Sequence, residues 1–218
     1  MPLVRYGGVW VDPLPNIRSG TKWQQRASMD TGVSRWSWQY INGSLTIIND
    51  ESKKALQYSN TGGASAAAHI AWAGAGDVVD SIVYARIKTV AAGSNNRVYG
   101  VIARGGGTAA NKRGYLLRYI NGEVDIARYN GSSVSPGLVH PTLPLKVTLV
   151  NTQGNYLRFK FRCVGNEQLG KAWLEGTAEP DWLVGSSAGA FTTAGHCGLF
   201  VGAGVDTYAA SAFQVAPL

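Results

Sequence analysis

Gly114-Tyr115-Leu116-Leu117-Arg118-Tyr119-Ile120 runs into Asn121-Gly122, and Glu123-Val124-Asp125-Ile126-Ala127-Arg128-Tyr129 runs on to a second pair, Asn130-Gly131. Both runs are rich in β-branched and aromatic residues, which suit a pleated, half-buried surface. Asn-Gly provides the positive φ angles that a type I′ turn requires, and that turn matches the twist of paired strands. The stretch therefore predicts a two-residue β-hairpin, with the second Asn-Gly closing its second strand.

The same grammar extends outward. Trp36, Trp38 and Tyr40 alternate ahead of Ile41-Asn42-Gly43-Ser44, and Leu45-Thr46-Ile47-Ile48 follows, which predicts another Asn-Gly hairpin. Further strands are expected at 81–88, 97–104, 114–120, 124–129, 145–150, 156–164, 171–174, 198–202 and 212–215, and another around His69-Ile70-Ala71-Trp72. No long stretch carries a helical period. Many short strands separated by turn signals predict an all-β, antiparallel two-sheet jelly-roll sandwich.

Composition bounds the function classes. Of 218 residues, 45% are hydrophobic and 15% charged, which excludes a disordered chain and fits one all-β domain. The formal charge of +7 reflects scarce acids rather than a basic tract, so no nucleic-acid partner is expected. The densest cations are Arg158, Lys160 and Arg162, alternating with Leu157, Phe159, Phe161 and Cys163. They line one face of a strand, either as a solvated surface or as a stripe for phosphate or an acidic glycan. No apolar run is long enough to span a membrane, and the N-terminus lacks the pattern of a secretory signal.

Residues 1–28 differ from the rest and read as an irregular N-terminal arm preceding a sandwich at 29–218. Trp10, Leu14 and Trp23 would serve as assembly contacts, unless the segment is only an untidy approach to the first strand. Cys163 and Cys197 sit in apolar alternation and are expected to be buried thiols. His69, His140 and His196 are scattered, so no metal site is expected. Gly105-Gly106-Gly107 opens a connector at 108–113 rather than a phosphate loop, because the Lys-Ser/Thr of a P-loop is missing.

From about Ser28 to Pro217 the chain resembles the concanavalin A-like lectin/glucanase jelly rolls, in particular the laminin-G-like modules of bacteriophage tail and baseplate proteins. Leu45 after Asn42-Gly43 looks like the opening hairpin. Asp80, Arg86 and Lys88 match a D-x-x-x-x-x-R-x-K strand, and Val101-Ile102-Ala103-Arg104 and Gly114-Tyr115-Leu116-Leu117-Arg118 match two Arg-ended strands. Ala172-Trp173 through Glu179-Pro180-Asp181-Trp182, Gly195 to Phe200, and Phe213-Gln214-Val215 supply the closing pieces. The resemblance implies two antiparallel sheets with a concave face able to hold a sugar chain. Some relatives bind calcium, but no dense Asp/Asn loop of the EF-hand kind appears here, so calcium is possible without being indicated. No other cofactor is expected.

Enzymatic relatives carry an E-x-D-x-x-E strand whose outer carboxylates act as nucleophile and acid/base about 5–5.5 Å apart. Glu123 and Asp125 match the first two positions. Ala127 and Arg128 stand where regular or bulged spacing would place the third, so a hydrolase of the laminarinase type is the alternative reading, not the first. Glu175, Glu179 and Asp181 are possible carboxylate partners that no spacing selects.

A non-enzymatic binding or structural role is therefore expected, in a virion component of tail, baseplate or capsid surface. Arg104, Arg118 and Arg128 punctuate three consecutive strands, and with Tyr119 and Trp173 they form the expected carbohydrate site, unless the arginines serve only to solvate the sheet face. The expected partners are other virion proteins and a cell-surface glycan, with the chain itself a homo-oligomer.

Overall fold

The computed structural model describes residues 4–6, 9–11, 17–19, 22–24, 38–41, 44–50, 53–59, 68–72, 77–91, 97–107, 112–131, 133–187, 189–202 and 206–218. Among them every regular element is a strand. β1 (Val4–Tyr6) pairs with β2 (Val9–Val11), and β3 (Ile17–Ser19) with β4 (Lys22–Gln24), as separate two-stranded sheets. The segment expected to be irregular thus contains two short antiparallel pairs. Leu14 lies outside the described residues, as do the side chains of Trp10 and Trp23.

The remaining strands form two antiparallel sheets, as a jelly-roll sandwich requires. The eight-stranded sheet runs β13 (Ser133–Pro136), β12 (Glu123–Gly131), β11 (Lys112–Ile120), β10 (Val98–Gly106), β18 (His196–Val201), β8 (Ala68–Trp72) and β5 (Trp38–Ile41), with β14 (Lys146–Thr148) also on β12. The seven-stranded sheet runs β17 (Val184–Ser186), β16 (Glu167–Leu174), β15 (Tyr156–Val164), β9 (Ser81–Ala91), β19 (Thr207–Pro217), β7 (Lys53–Ser59) and β6 (Ser44–Asp50).

The Asn121-Gly122 hairpin is present. Ile120 pairs with Glu123, and the turn residues have φ of 50° and 93°, as a type I′ turn demands. The hairpin expected at Asn42-Gly43 is not formed. β5 pairs with β8 in one sheet and β6 with β7 in the other, so the chain changes sheets between them. β7, which alternation alone did not single out, supplies the partner that β6 needs. β19 runs for 11 residues where four were expected, because it pairs along most of β9.

Side chains at every second position fill the space between the sheets. Val83, Ala85 and Ile87 on β9, with Leu157, Phe159 and Phe161 on β15, meet Tyr99, Val101, Tyr115, Leu117 and Tyr119 from β10 and β11. Tyr99 anchors an aromatic group, with ring centroids 4.8 Å from Tyr208, 5.3 Å from Tyr119 and 5.8 Å from Phe159. The Tyr99 hydroxyl is satisfied by Asn151 Nδ2 at 3.1 Å, which lets so large a polar ring sit in the core. Cys163 and Cys197 are buried free thiols, as expected.

Candidate functional site

The outer face of the seven-stranded sheet is built by strict alternation. Ile82, Tyr84, Arg86 and Lys88 on β9 lie beside Tyr156, Arg158, Lys160 and Arg162 on β15, because Lys88 pairs with Tyr156, Arg86 with Arg158, and Tyr84 with Lys160. On β16, Trp173 lies opposite Arg158 and Lys171 opposite Lys160. The basic stripe read from the sequence is therefore one row of a wider cationic and aromatic surface.

The β16–β17 connection, 175–183, folds back against this face and places two carboxylates on it. Glu175 accepts two hydrogen bonds from Arg158, at 2.6 and 2.7 Å, and one from Arg86 at 3.2 Å. The paired hydrogen bonds from Arg158, then that from Arg86, hold the Glu175 carboxyl down at about 2. Glu179 lies 2.7 Å from Lys171 Nζ and 3.1 Å from Lys160 Nζ, and those ammonium groups lower its pKa too. Lys171 also donates to the Pro180 carbonyl at 2.8 Å and sits 4.8 Å above the Trp182 ring, fixing the loop to the sheet.

Two depressions result. The larger, about 420 Å³, is lined by Tyr84, Arg158, Lys160, Trp173, Glu179 and Gln214. The smaller, about 300 Å³, lies farther along the strands and is lined by Arg86, Asn155, Tyr156, Leu174, Glu175 and Thr177. Arg86, stacked 3.4 Å over the Tyr156 ring, joins Arg158 in gripping Glu175 between them. Half-buried Tyr84 and nearly buried Trp173 furnish apolar surface, while the guanidinium, ammonium, amide and carboxylate groups furnish hydrogen-bond donors and acceptors. That combination suits a polyhydroxylated ligand.

The five expected site residues are not brought together. Arg104 should face outward by alternation, but register shifts in β10 on both its neighbours mark a bulge at this residue, whose φ is +51°. The bulge sends its side chain inside, 1% exposed. Tyr119 is a core residue, 3% exposed. Arg118 points outward from the eight-stranded sheet and is clamped to Asp125. Arg128 pairs with Tyr115, three positions from Arg118, so the two arginines occupy opposite sides of the sheet; Arg128 donates to the Pro136 carbonyl. Only Trp173 lines the larger groove.

The outer face of the eight-stranded sheet offers less. Val98, Ile102, Leu116, Ala127, Tyr129 and Phe200 form a second apolar cluster there, none more than 7% exposed. Beside it, Glu123, Asp125, Asn121 and Lys146 rim a depression of about 520 Å³ that has no aromatic lining. Glu123 pairs with Lys146 at 3.0 Å, so both matches to the hydrolase signature are engaged in ion pairs. Among the described residues no cluster of His, Cys, Asp and Glu is arranged to hold a metal ion.

The architecture is an antiparallel two-sheet jelly-roll sandwich, a fold shared with several solved structures. Carbohydrate-binding module CBM66 from Bacillus subtilis superimposes with a TM-score of 0.58 at 14% identity, over 82% of this chain and 94% of that one. The cellulose-induced protein Cip1 gives 0.56 at 15% identity, over 88% and 97%. A carbohydrate esterase of the Shiga toxin-encoding bacteriophage phi24B gives 0.50 at 11% identity, over 86% and 95%. These likenesses are of fold. The sequence matches no protein-family model and no curated protein.

Proposed function

We propose that this chain is a non-enzymatic, lectin-like carbohydrate-binding protein whose site is the groove between Tyr84, Trp173, Gln214 and the 175–183 loop. The observation that carries this reading is the groove itself, with its recessed rings and ring of planar and charged polar groups, on the fold shared with CBM66 and Cip1. Its volume of about 420 Å³ falls within the range that small-ligand sites occupy. The ion-paired Glu123 and Asp125, with Ala127 and Arg128 after them, favour binding over hydrolysis.

We further propose a place on a virion surface (tail, baseplate or capsid), contacting other virion proteins as a homo-oligomer and host glycans through the groove. The phage esterase of the same fold supports this, as do the strand pairs at 4–6 with 9–11 and 17–19 with 22–24, which form sheets of their own.

A glycan array on the purified chain, run with a reducing-sugar assay, tests the function. Binding without sugar release, weakened by Tyr84→Ala or Gln214→Ala, is expected. Sugar release abolished by Glu123→Gln would overturn it. Solution mass with and without residues 1–28 tests assembly: loss of a defined oligomer on removal is expected, and an unchanged mass would contradict the role given to the arm.

A further inference from the structure

We propose that the ligand of this face is an acidic glycan, whose carboxylate or sulfate groups take the places at Arg158, Lys160 and Lys171 that Glu175 and Glu179 fill in the free chain. The inference rests on the carbohydrate-binding reading above and names the chemical class of its ligand.

Charge and geometry on the sheet point this way. Arg86, Lys88, Arg158, Lys160, Arg162 and Lys171 all face outward from three neighbouring strands. Among the described residues the carboxylates paired with this surface are Glu167, Glu175 and Glu179, so the described cations outnumber the described acids even when Asp181 on the loop is counted. A positively charged, partly walled surface concentrates anions.

The chain's own carboxylates mark where an anion fits. Arg158 presents its guanidinium edge to Glu175 in the two-bond geometry that a planar carboxylate accepts. Lys160 and Lys171 converge on one oxygen of Glu179. Both glutamates come from a connecting loop rather than from the sheet, and their side chains are 34% and 43% exposed. The lysine–Glu179 contacts, single-point and to an exposed carboxylate, are held weakly, so a ligand carboxylate can compete for those ammonium groups.

Each marked position borders a depression: Glu179 lines the larger groove and Glu175 the smaller. The two lie in succession along β9 and β15, from Ile82 and Tyr84 to Arg86 and Tyr156. At about 3.3 Å per strand residue, the outward row from Ile82 to Lys88 spans ~20 Å, a track for several linked sugars rather than one. The Arg86–Glu175–Arg158 bridge divides the track, and displacing Glu175 would join its halves. Positions already filled by planar carboxylates favour a uronate over the tetrahedral phosphates of a phosphodiester chain.

Isothermal titration would compare oligouronates and sulfated oligosaccharides, each paired with its methyl-esterified or desulfated counterpart, and a single-stranded oligonucleotide. Wild type, Glu175→Gln, Glu179→Gln and the double variant Arg158→Gln/Lys160→Gln would be used, each checked for folding by thermal melt. The acidic member of a pair should bind at least about tenfold tighter, a difference of ~1.4 kcal/mol. That preference should collapse in the double variant and grow in Glu179→Gln, which stands in should Glu175→Gln fail to fold. Equal binding of acidic and neutral partners would overturn this inference while leaving the carbohydrate reading intact. No binding within any pair would overturn both, and tighter binding of the oligonucleotide would overturn the glycan assignment.

Discussion

Arg104 reaches Asp80 from inside the sandwich, its Nη2 donating to Oδ1 at 2.8 Å, while the rest of its guanidinium is consumed by main-chain carbonyls. Nε donates to Val79 O at 2.5 Å, and Nη1 donates to Gly165 O at 2.7 Å and Phe191 O at 2.9 Å. One side chain thus ties the bend leading into β9, the β15–β16 turn and the 189–195 loop to the bulge of β10. Asp80 Oδ1 also accepts from the Gly165 amide at 2.9 Å, closing the same corner.

Arg104→Met should therefore be destabilising, by about 2–3 kcal/mol, because it leaves three carbonyls without their donor and removes the cation from Asp80, which is one-third exposed and keeps the Gly165 amide. Urea unfolding measures it. A loss below about 1 kcal/mol, the scale of an exposed pair, would show that the corner is held some other way.

Gly122→Ala isolates the cost of the turn. A Cβ at this position meets nothing within 4 Å, so only its positive φ opposes the substitution. The expected loss is about 1–2 kcal/mol, read from the same unfolding curves. A neutral result would mean that the hairpin does not need its type I′ geometry.

Acid should weaken the loop latch. The Glu175 pKa is depressed from the ordinary 4.5 to about 2, so its pairing stabilises the fold fully above the unfolded value and fades as pH falls from 4.5 towards 2. The carboxylate is about one-third exposed, which keeps the contribution modest. The thermal midpoint of wild type should drop more steeply than that of Glu175→Gln across this window. Parallel profiles would contradict the pairing.

Neither thiol should react in the native state. Burial pushes Cys163 up to about 12 and Cys197 up to about 11, and Ser81 Oγ lies 3.5 Å from the Cys197 sulfur. Thiol titration at pH 8 should find both groups only after denaturant is added. Rapid native labelling of either would contradict their burial.

The fold was legible because its signals are local. Asn121-Gly122 states its turn type in two residues, and the outward row Arg158, Lys160, Arg162 is visible as simple alternation. The site was less legible because it is assembled from distant parts: Tyr84, Arg158, Trp173, Glu179 and Gln214 lie on four strands and a returning loop. Alternation also misplaced Arg104, since a bulge carries no strong sequence mark, and Asn42-Gly43 looked like a hairpin because pairing partners are not written in a turn. One signal was available. Two glutamates four residues apart, just after the β16 strand, complement a row of cations on the strand before it.

Chemical-shift mapping of a bound glycan tests the central claim most directly, because it locates the site whatever the sugar. The account predicts perturbations concentrated at Tyr84, Lys160, Gln214 and the Trp173 indole, with Asn121, Glu123 and Lys146 unmoved. Shifts confined to Asn121, Glu123 and Lys146 would place the site on the opposite sheet and contradict it.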